Sequence, residues 1–192
     1  MDGILLIDKP SGITSHKVVE IIRKKLGIKK VGHAGTLDPL ATGLLIIMLG
    51  AATKVSNLLT GQSKTYEVEM KLFLETDTGD IIGKIIKTQK PQVFTENHGK
   101  KLYQYARKGI LMEVPPRLVK IKEIKLLNYS PQAAKINFLA ECSKGTYIRS
   151  LVKDMAEKLG TIATVSQLRR ISSGKFQVSQ TLNLEEIEKE KE

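Results

Sequence analysis

Six consecutive apolar residues, Leu44-Leu45-Ile46-Ile47-Met48-Leu49, follow directly on a thirteen-residue stretch, Val31 to Gly43, that holds three glycines, a histidine, an aspartate and a proline. The apolar run is far too short to cross a bilayer, so it belongs inside a protein core. The stretch before it is too polar and too rich in turn formers for a regular core element. A special loop that feeds a buried segment is a place where a fold can fix chemistry on a rigid support. Within it, Pro39 biases Asp38 away from helical geometry, and the glycines permit a bulky ligand to come close. An Asp-Pro pair in a turn is more often structural than chemical. The stretch has neither the lysine nor the spacing of a phosphate-binding P-loop.

The remaining pattern is rich in strands. Ile4 to Ile7 reads as a short buried strand, ended by the tight loop Asp8-Lys9-Pro10-Ser11-Gly12. Thr14 or Ser15 can cap a helix whose residues Val18, Val19, Ile22 and Leu26 form an apolar face, with Arg23, Lys24 and Lys25 outward and Gly27 as its stop. Tyr66, Val68, Met70, Leu72 and Leu74 alternate with mostly polar neighbours, which predicts a half-buried strand. A turn at Thr76 to Asp80 and further strands at Ile81–Thr88, Val119–Ile124 and Lys135–Cys142 follow. Ser150 to Leu159 predicts a second helix ending at Gly160, and Val165 to Arg170 a shorter one. Strands separated by turns rather than by regular crossover helices favour an α+β fold with a mixed, largely antiparallel sheet flanked by helices. One domain is expected over residues 1–184, with a polar tail over 185–192.

Thirty-one Lys and Arg against 20 Asp and Glu leave a formal net charge of +11. Such an excess attracts a polyanion before any specific contact forms, although solubility alone can also select it. The single cysteine, Cys142, excludes an intramolecular disulfide and a paired-thiol zinc site, and reads as an inert strand residue. His16, His33 and His98 are too far apart to resemble a metal site. No membrane or export segment stands out, so a reducing, cytoplasmic setting is expected.

A second unusual segment is Ser143-Lys144-Gly145-Thr146-Tyr147-Ile148-Arg149-Ser150. Alternation would place Tyr147 and Arg149 on one side of an extended stretch, with Ile148 opposite. Arg149 could hold a phosphate, serve as a surface charge, or partner Asp38. Its planar fork is well suited to orienting a carboxylate, and the residues alone leave the three readings open.

Taken in order, Lys9-Pro10-Ser11-Gly12-Ile13-Thr14-Ser15, Gly32 to Gly43, Lys64-Thr65-Tyr66, Lys100-Lys101-Leu102-Tyr103, Lys144 to Arg149 and Leu168-Arg169-Arg170 resemble the motifs of bacterial TruB-type tRNA pseudouridine-55 synthases. The resemblance covers nearly the whole chain, and the block from His33 to Gly43 is highly specific by itself. It implies the pseudouridine synthase catalytic fold and conversion of uridine to pseudouridine in the T arm of tRNA, without metal, organic cofactor or protein partner. Asp38 then corresponds to the catalytic aspartate and Arg149 to its arginine partner. Tyr66 corresponds to the tyrosine that stacks on the target uracil and is discussed in proton transfer. His33 matches the residue that fills the place of the flipped-out nucleotide, and Leu168 an apolar contact of the base pocket. Tyr147, Lys64 and Arg170 are expected among the substrate contacts, with Lys9, Pro10, Gly35 and Pro39 supporting the site.

Two departures from the family pattern stand out. The helical RNA-gripping insert before Lys100 is short, which marks Asn97-His98 as the expected junction of a deleted or unrecorded segment. The usual small C-terminal RNA-binding domain is likewise expected to be missing. Two other functions compete: a guide- or partner-dependent RNA pseudouridine synthase, and a non-catalytic RNA-binding module.

Overall fold

The computed structural model describes residues 1–80 and 118–187. The strand expected at 81–88, the block Lys100–Tyr103 and the junction at Asn97-His98 lie outside the described residues.

Strand β1 spans Gly3–Lys9, three residues longer than the apolar run that announces it. Helix α1 follows over Ser15–Leu26. The Thr14 side chain accepts from the Lys17 backbone N–H at its start, a cap worth about 1 kcal/mol, and Gly27 closes its end. Val18, Val19 and Ile22 are buried.

Next come β2 (Val31–Ala34) and β3 (Thr42–Leu49), joined by the glycine-rich loop. The first four residues of the stretch expected to be irregular are therefore a strand. Val31 and Ala34 are buried, and β2 pairs antiparallel with the end of β3. A 3-10 turn over Gly50–Val55 and the short α2 (Ser56–Thr60) lead into β4 (Lys64–Leu72). In β4, Tyr66, Val68, Met70 and Leu72 are buried, as the alternation predicts. Phe73, at φ 62°, ends the strand before Leu74.

Strand β5 (Ile121–Ser130) starts later and runs longer than expected, and β6 (Lys135–Cys142) has the expected bounds. Helix α3 spans Ile148–Lys158 and buries Ile148, Val152 and Ala156. Tyr147 sits at its N-cap, so the extended reading of Tyr147 to Arg149 is corrected: Arg149 belongs to the first helical turn.

The short helix expected at Val165–Arg170 is also corrected, because these residues lie in β7 (Ala163–Ser173). The cause is local. Register shifts against β4 fall between Glu69 and Met70 and between Thr65 and Tyr66. The first is a bulge that brings both Val165 and Leu168 to the buried side although they stand three residues apart, which imitates helical spacing. Strand β8 (Phe176–Gln177) and a 3-10 turn at Val178–Gln180 complete the order.

All eight strands form one sheet in the order β1-β3-β7-β4-β6-β5, with β2 on β3 and β8 on β7. It is an α+β fold with a mixed, mostly antiparallel sheet. The named strands pair antiparallel except β3 and β7, which meet in parallel over Thr42–Arg169 and Gly43–Arg170. Two antiparallel halves are thus stitched together by a two-residue parallel contact. Gly43 makes the stitch possible: at φ 95°, a Cβ there would overlap the Arg170 carbonyl oxygen and lie 2.8 Å from its nitrogen.

Strand β3 is covered on both sides, which explains its unbroken apolar run. Leu45, Ile47 and Leu49 join the main core with α1 and α3, while Leu44, Ile46 and Met48 pack in a second cluster with Leu59 of α2. Ile187 is buried in the main core, and Lys25 donates to the carbonyls of Leu184 and Ile187, so the packed chain runs past the boundary expected at 184. Cys142 is buried in β6. Among the described residues, no helix is long and apolar enough to cross a membrane.

Candidate active site

The loop from Gly35 to Ala41 leaves β2 and returns into β3 beside the parallel stitch. Its course is pinned from below. The backbone N–H of Leu37 donates to Ser15 Oγ at 2.8 Å, at the head of α1. The Ala41 N–H donates to the Asp38 carbonyl at 3.0 Å, and the Gly12 N–H to the Pro39 carbonyl at 2.8 Å. Leu37 and Ala41 are buried on either side of Asp38 and Pro39. Asp38 therefore sits on a fixed arch while its own side chain stays 38% exposed.

Lys9 holds the underside of that arch. It is fully buried, and its ammonium donates to the carbonyls of Pro10 at 2.8 Å, Ile13 at 2.7 Å and Pro39 at 3.2 Å. Burial pushes its pKa down to about 8, against the attraction of Asp38 and with the repulsion of Arg170. Pro10 and Pro39 are exposed at the surface of the two loops that this ammonium ties together.

Arg149 reaches Asp38 from the first turn of α3. Its Nε lies 3.1 Å from Asp38 Oδ2, and another guanidinium nitrogen donates to the Thr78 carbonyl at 2.8 Å. The turn at Thr76–Asp80 therefore orients the arginine, and the arginine orients the carboxylate. A guanidinium held from two sides costs little further entropy when it engages the acid.

Tyr66 points into the core from β4 and is 7% exposed. Burial raises the pKa of its phenol, Arg170 opposes that rise, and Asp38 is near enough to add to it. Leu168 stands two register positions away, opposite Val68, and is 8% exposed. Tyr147 is exposed at the N-cap of α3, two residues before Arg149. His33 is half-buried in β2, opposite Ile47. A cleft of about 340 Å³ opens beside the arch, between Ser11, Leu40 and Thr42 on the loop side and Glu67, Leu168 and Arg169 on the sheet side.

Two expected substrate contacts are turned inward. Lys64 is 7% exposed and donates to the carbonyls of Thr60 and Gln62. Arg170 is 1% exposed and donates to the carbonyls of Leu44 and Gly35. Gly35, at φ 89°, gives them room: a Cβ there would meet Arg170 and Lys64 at 3.4 Å each. Sequence reasoning also missed Asp8, whose two carboxylate oxygens bind Arg169 at 2.6 and 3.0 Å. Nothing local signals that pair, because the partners are 161 residues apart. Among the described residues, no cluster of three His, Cys, Asp or Glu could hold a metal ion.

Residues 23–98 and 89–148 match the profile of the TruB family pseudouridylate synthase N-terminal domain. Residues 149–192 match that of the tRNA pseudouridylate synthase B C-terminal domain. The chain belongs to the TruB family of pseudouridylate synthases. It is 40% identical to the tRNA pseudouridine synthase B of Mesoplasma florum, over 97% of this chain and 73% of that protein. To the tRNA pseudouridine synthase B of Geobacillus thermodenitrificans it is 42% identical, over 98% of this chain and 72% of the relative. The M. florum alignment runs over 212 positions against 192 residues here, so at least 20 positions of that relative have no counterpart in this chain. Among solved structures, the archaeal box H/ACA sRNP Nop10-Cbf5 complex contains a chain 30% identical with a TM-score of 0.70, matching 95% of this chain and 51% of its own length. This chain spans about half of that one.

Proposed function

We propose that this protein isomerises uridine to pseudouridine in the T arm of tRNA, at position 55, with Asp38 as nucleophile on a flipped-out base. One observation carries the reading: a partly exposed carboxylate on a pinned arch, 3.1 Å from an arginine that the Thr78 carbonyl holds in place. General RNA binding needs no such carboxylate.

The chemistry accounts for the residue types. The uridine must leave its stack, at a cost of roughly a few kcal/mol, which basic side chains on the RNA backbone can supply. The net charge of +11 suits that task. Asp38 attacks either the ribose anomeric carbon or the uracil ring, and the glycosidic bond breaks. The enclosed uracil turns, rejoins the ribose through carbon 5, and loses the proton there. Arg149 keeps the carboxylate aimed, and Lys9 and Ser15 keep the arch from yielding to the RNA. Tyr66 and Leu168 supply an aromatic and an aliphatic wall for a flat ring, with Tyr147 at the mouth and His33 on the RNA side. Lys64 and Arg170, both buried, act as supports rather than as direct contacts.

The relatives named tRNA pseudouridine synthase B, at 40–42% identity over nearly all of this chain, favour tRNA over a guided substrate. Tritium release from a tRNA transcript labelled at uracil carbon 5 tests this. The protein alone is expected to release it, from whole tRNA and from a T-arm stem-loop. Release only with a guide RNA or added proteins would favour the guided reading, and tight binding without release the non-catalytic one.

A further inference from the structure

The turn that holds Arg149 is itself gripped from two sides, by bonds of different kinds. On the sheet side the groups are neutral. The Val165 N–H of β7 donates to the Gly79 carbonyl at 3.1 Å. The buried Thr76 hydroxyl donates to the Asp80 carbonyl at 2.6 Å and meets the Thr164 hydroxyl of β7 at 3.2 Å. On the helix side the grip is a charge pair, with Lys153 Nζ 3.1 Å from Glu75 Oε1.

Lys153 stands four residues after Arg149 in α3, so the two side chains leave the same face of the helix one turn apart. Both reach for the same turn. Arg149 donates to the Thr78 carbonyl, and Lys153 to Glu75, next in sequence to the buried Thr76. Gly79, at φ 73°, lays its backbone along the arginine stem, where a Cβ would come within 3.4 Å of Arg149. One guanidinium can serve Asp38 and Thr78 together only while α3 and the turn keep their spacing. The Lys153–Glu75 pair spans that gap. Its side chains are 34% and 13% exposed, so the pair is partly withdrawn from water and less screened than a surface pair. A lysine meant for an RNA phosphate would gain nothing from a carboxylate at this distance.

We propose that Lys153 and Glu75 are positioning residues of the isomerisation: their pair locks α3 to the turn, which keeps the Thr78 carbonyl on Arg149 and Arg149 on Asp38. The inference rests on the isomerisation proposed above and adds two residues to it. Neither touches the substrate, and no proton changes hands at the pair.

The test is a charge-swap cycle: Glu75→Gln, Lys153→Met, and the double variant Glu75→Lys with Lys153→Glu. Single-turnover tritium release should fall about tenfold in either single variant while T-arm affinity holds within about threefold. The swap should recover to within about threefold of the wild type, and so should Lys153→Arg, which keeps the charge. Added to Arg149→Lys, which has already lost the Thr78 tether, Lys153→Met should cost no more than about twofold. Wild-type rates in the single variants overturn the proposal. So does weaker T-arm binding in Lys153→Met alone with no recovery in the swap, the pattern of a lysine that binds phosphate. Should the swap not fold, a loss in Lys153→Arg equal to that in Lys153→Met is equally fatal.

A readout independent of turnover is the Arg149 Nε–H resonance, assigned by its absence in Arg149→Lys. Its hydrogen exchange should be at least about tenfold faster in each single variant than in the wild type, and slow again in Lys153→Arg. Equal exchange in all of them contradicts the lock. A wild type that releases no tritium refutes the isomerisation, whereas the exchange rates judge the hold on Arg149 by themselves.

Discussion

Two arginine–carboxylate pairs flank the stitch between the half-sheets, and they are built differently. Arg169 grips Asp8 with both terminal nitrogens, at 2.6 and 3.0 Å, and joins β7 to β1. Both oxygens of that acid are spoken for. Arg149 lies 3.1 Å from Asp38 Oδ2 at its Nε and spends another nitrogen on the Thr78 carbonyl. Asp38 keeps a larger exposed fraction, 38% against 25% for Asp8. A closed fork suits a strut. A longer, more exposed contact suits a nucleophile, which must be charged and aimed yet still able to leave its partner.

The difference can be broken from either side. On the arginine side a large effect should come from Arg149→Lys, which replaces an oriented contact by a point charge and loses the Thr78 tether. We expect kcat to fall about 100-fold while T-arm affinity changes little, measured by single-turnover tritium release beside a binding titration. Asp8→Asn should do the opposite. It removes half of a partly exposed pair, so stability should drop by about 1 kcal/mol in urea unfolding while single-turnover rates hold within about threefold. A rate loss as large as that of Arg149→Lys would erase the distinction between the pairs.

A further test concerns Lys9, the brace that serves both loops. Its pKa is about 8 in the folded protein, below the ordinary lysine value of 10.5. The unfolded chain thus binds more protons between those values, and the contribution of Lys9 to stability grows as pH rises through that window. It is fully present above the unfolded value and lost as pH falls through about 8. Relative to Lys9→Met, the wild type should gain stability from pH 8 to pH 10.5, read from urea midpoints. A difference that stays flat across the window contradicts a Lys9 whose pKa burial lowers to about 8.

Much of the fold is legible where one physical rule acts alone. The strict alternation from Tyr66 to Leu72 meets a sheet with one covered face, and the helix after Thr14 carries its cap, its apolar stripe and its stop in the chain itself. Legibility fails where a tertiary partner changes the rule. The bulge opposite Glu69 and Met70 makes β7 imitate a helix, and the pairing of β2 with β3 makes a strand from residues that look like loop. The site divides in the same way. The Asp-Pro arch and the glycines are conspicuous along the chain, although local reasoning alone would have left Asp38 as a turn residue. Only the family motifs chose Asp38 among the three readings of Arg149 and tied it to Tyr66. The grip of Asp8 on Arg169 and the burial of Arg170 depend on strands far apart in sequence meeting at Gly43, so no local pattern announces them.

The account stands on Asp38 as the nucleophile. Its most direct test is single-turnover tritium release from tRNA labelled at uracil carbon 5, for the wild type and Asp38→Asn side by side, with T-arm binding measured on the same samples. We expect the wild type to release its tritium, and Asp38→Asn to bind within about threefold while its release rate falls by at least about 1,000-fold. Asp38→Asn turning over within about tenfold of the wild-type rate would contradict the assignment.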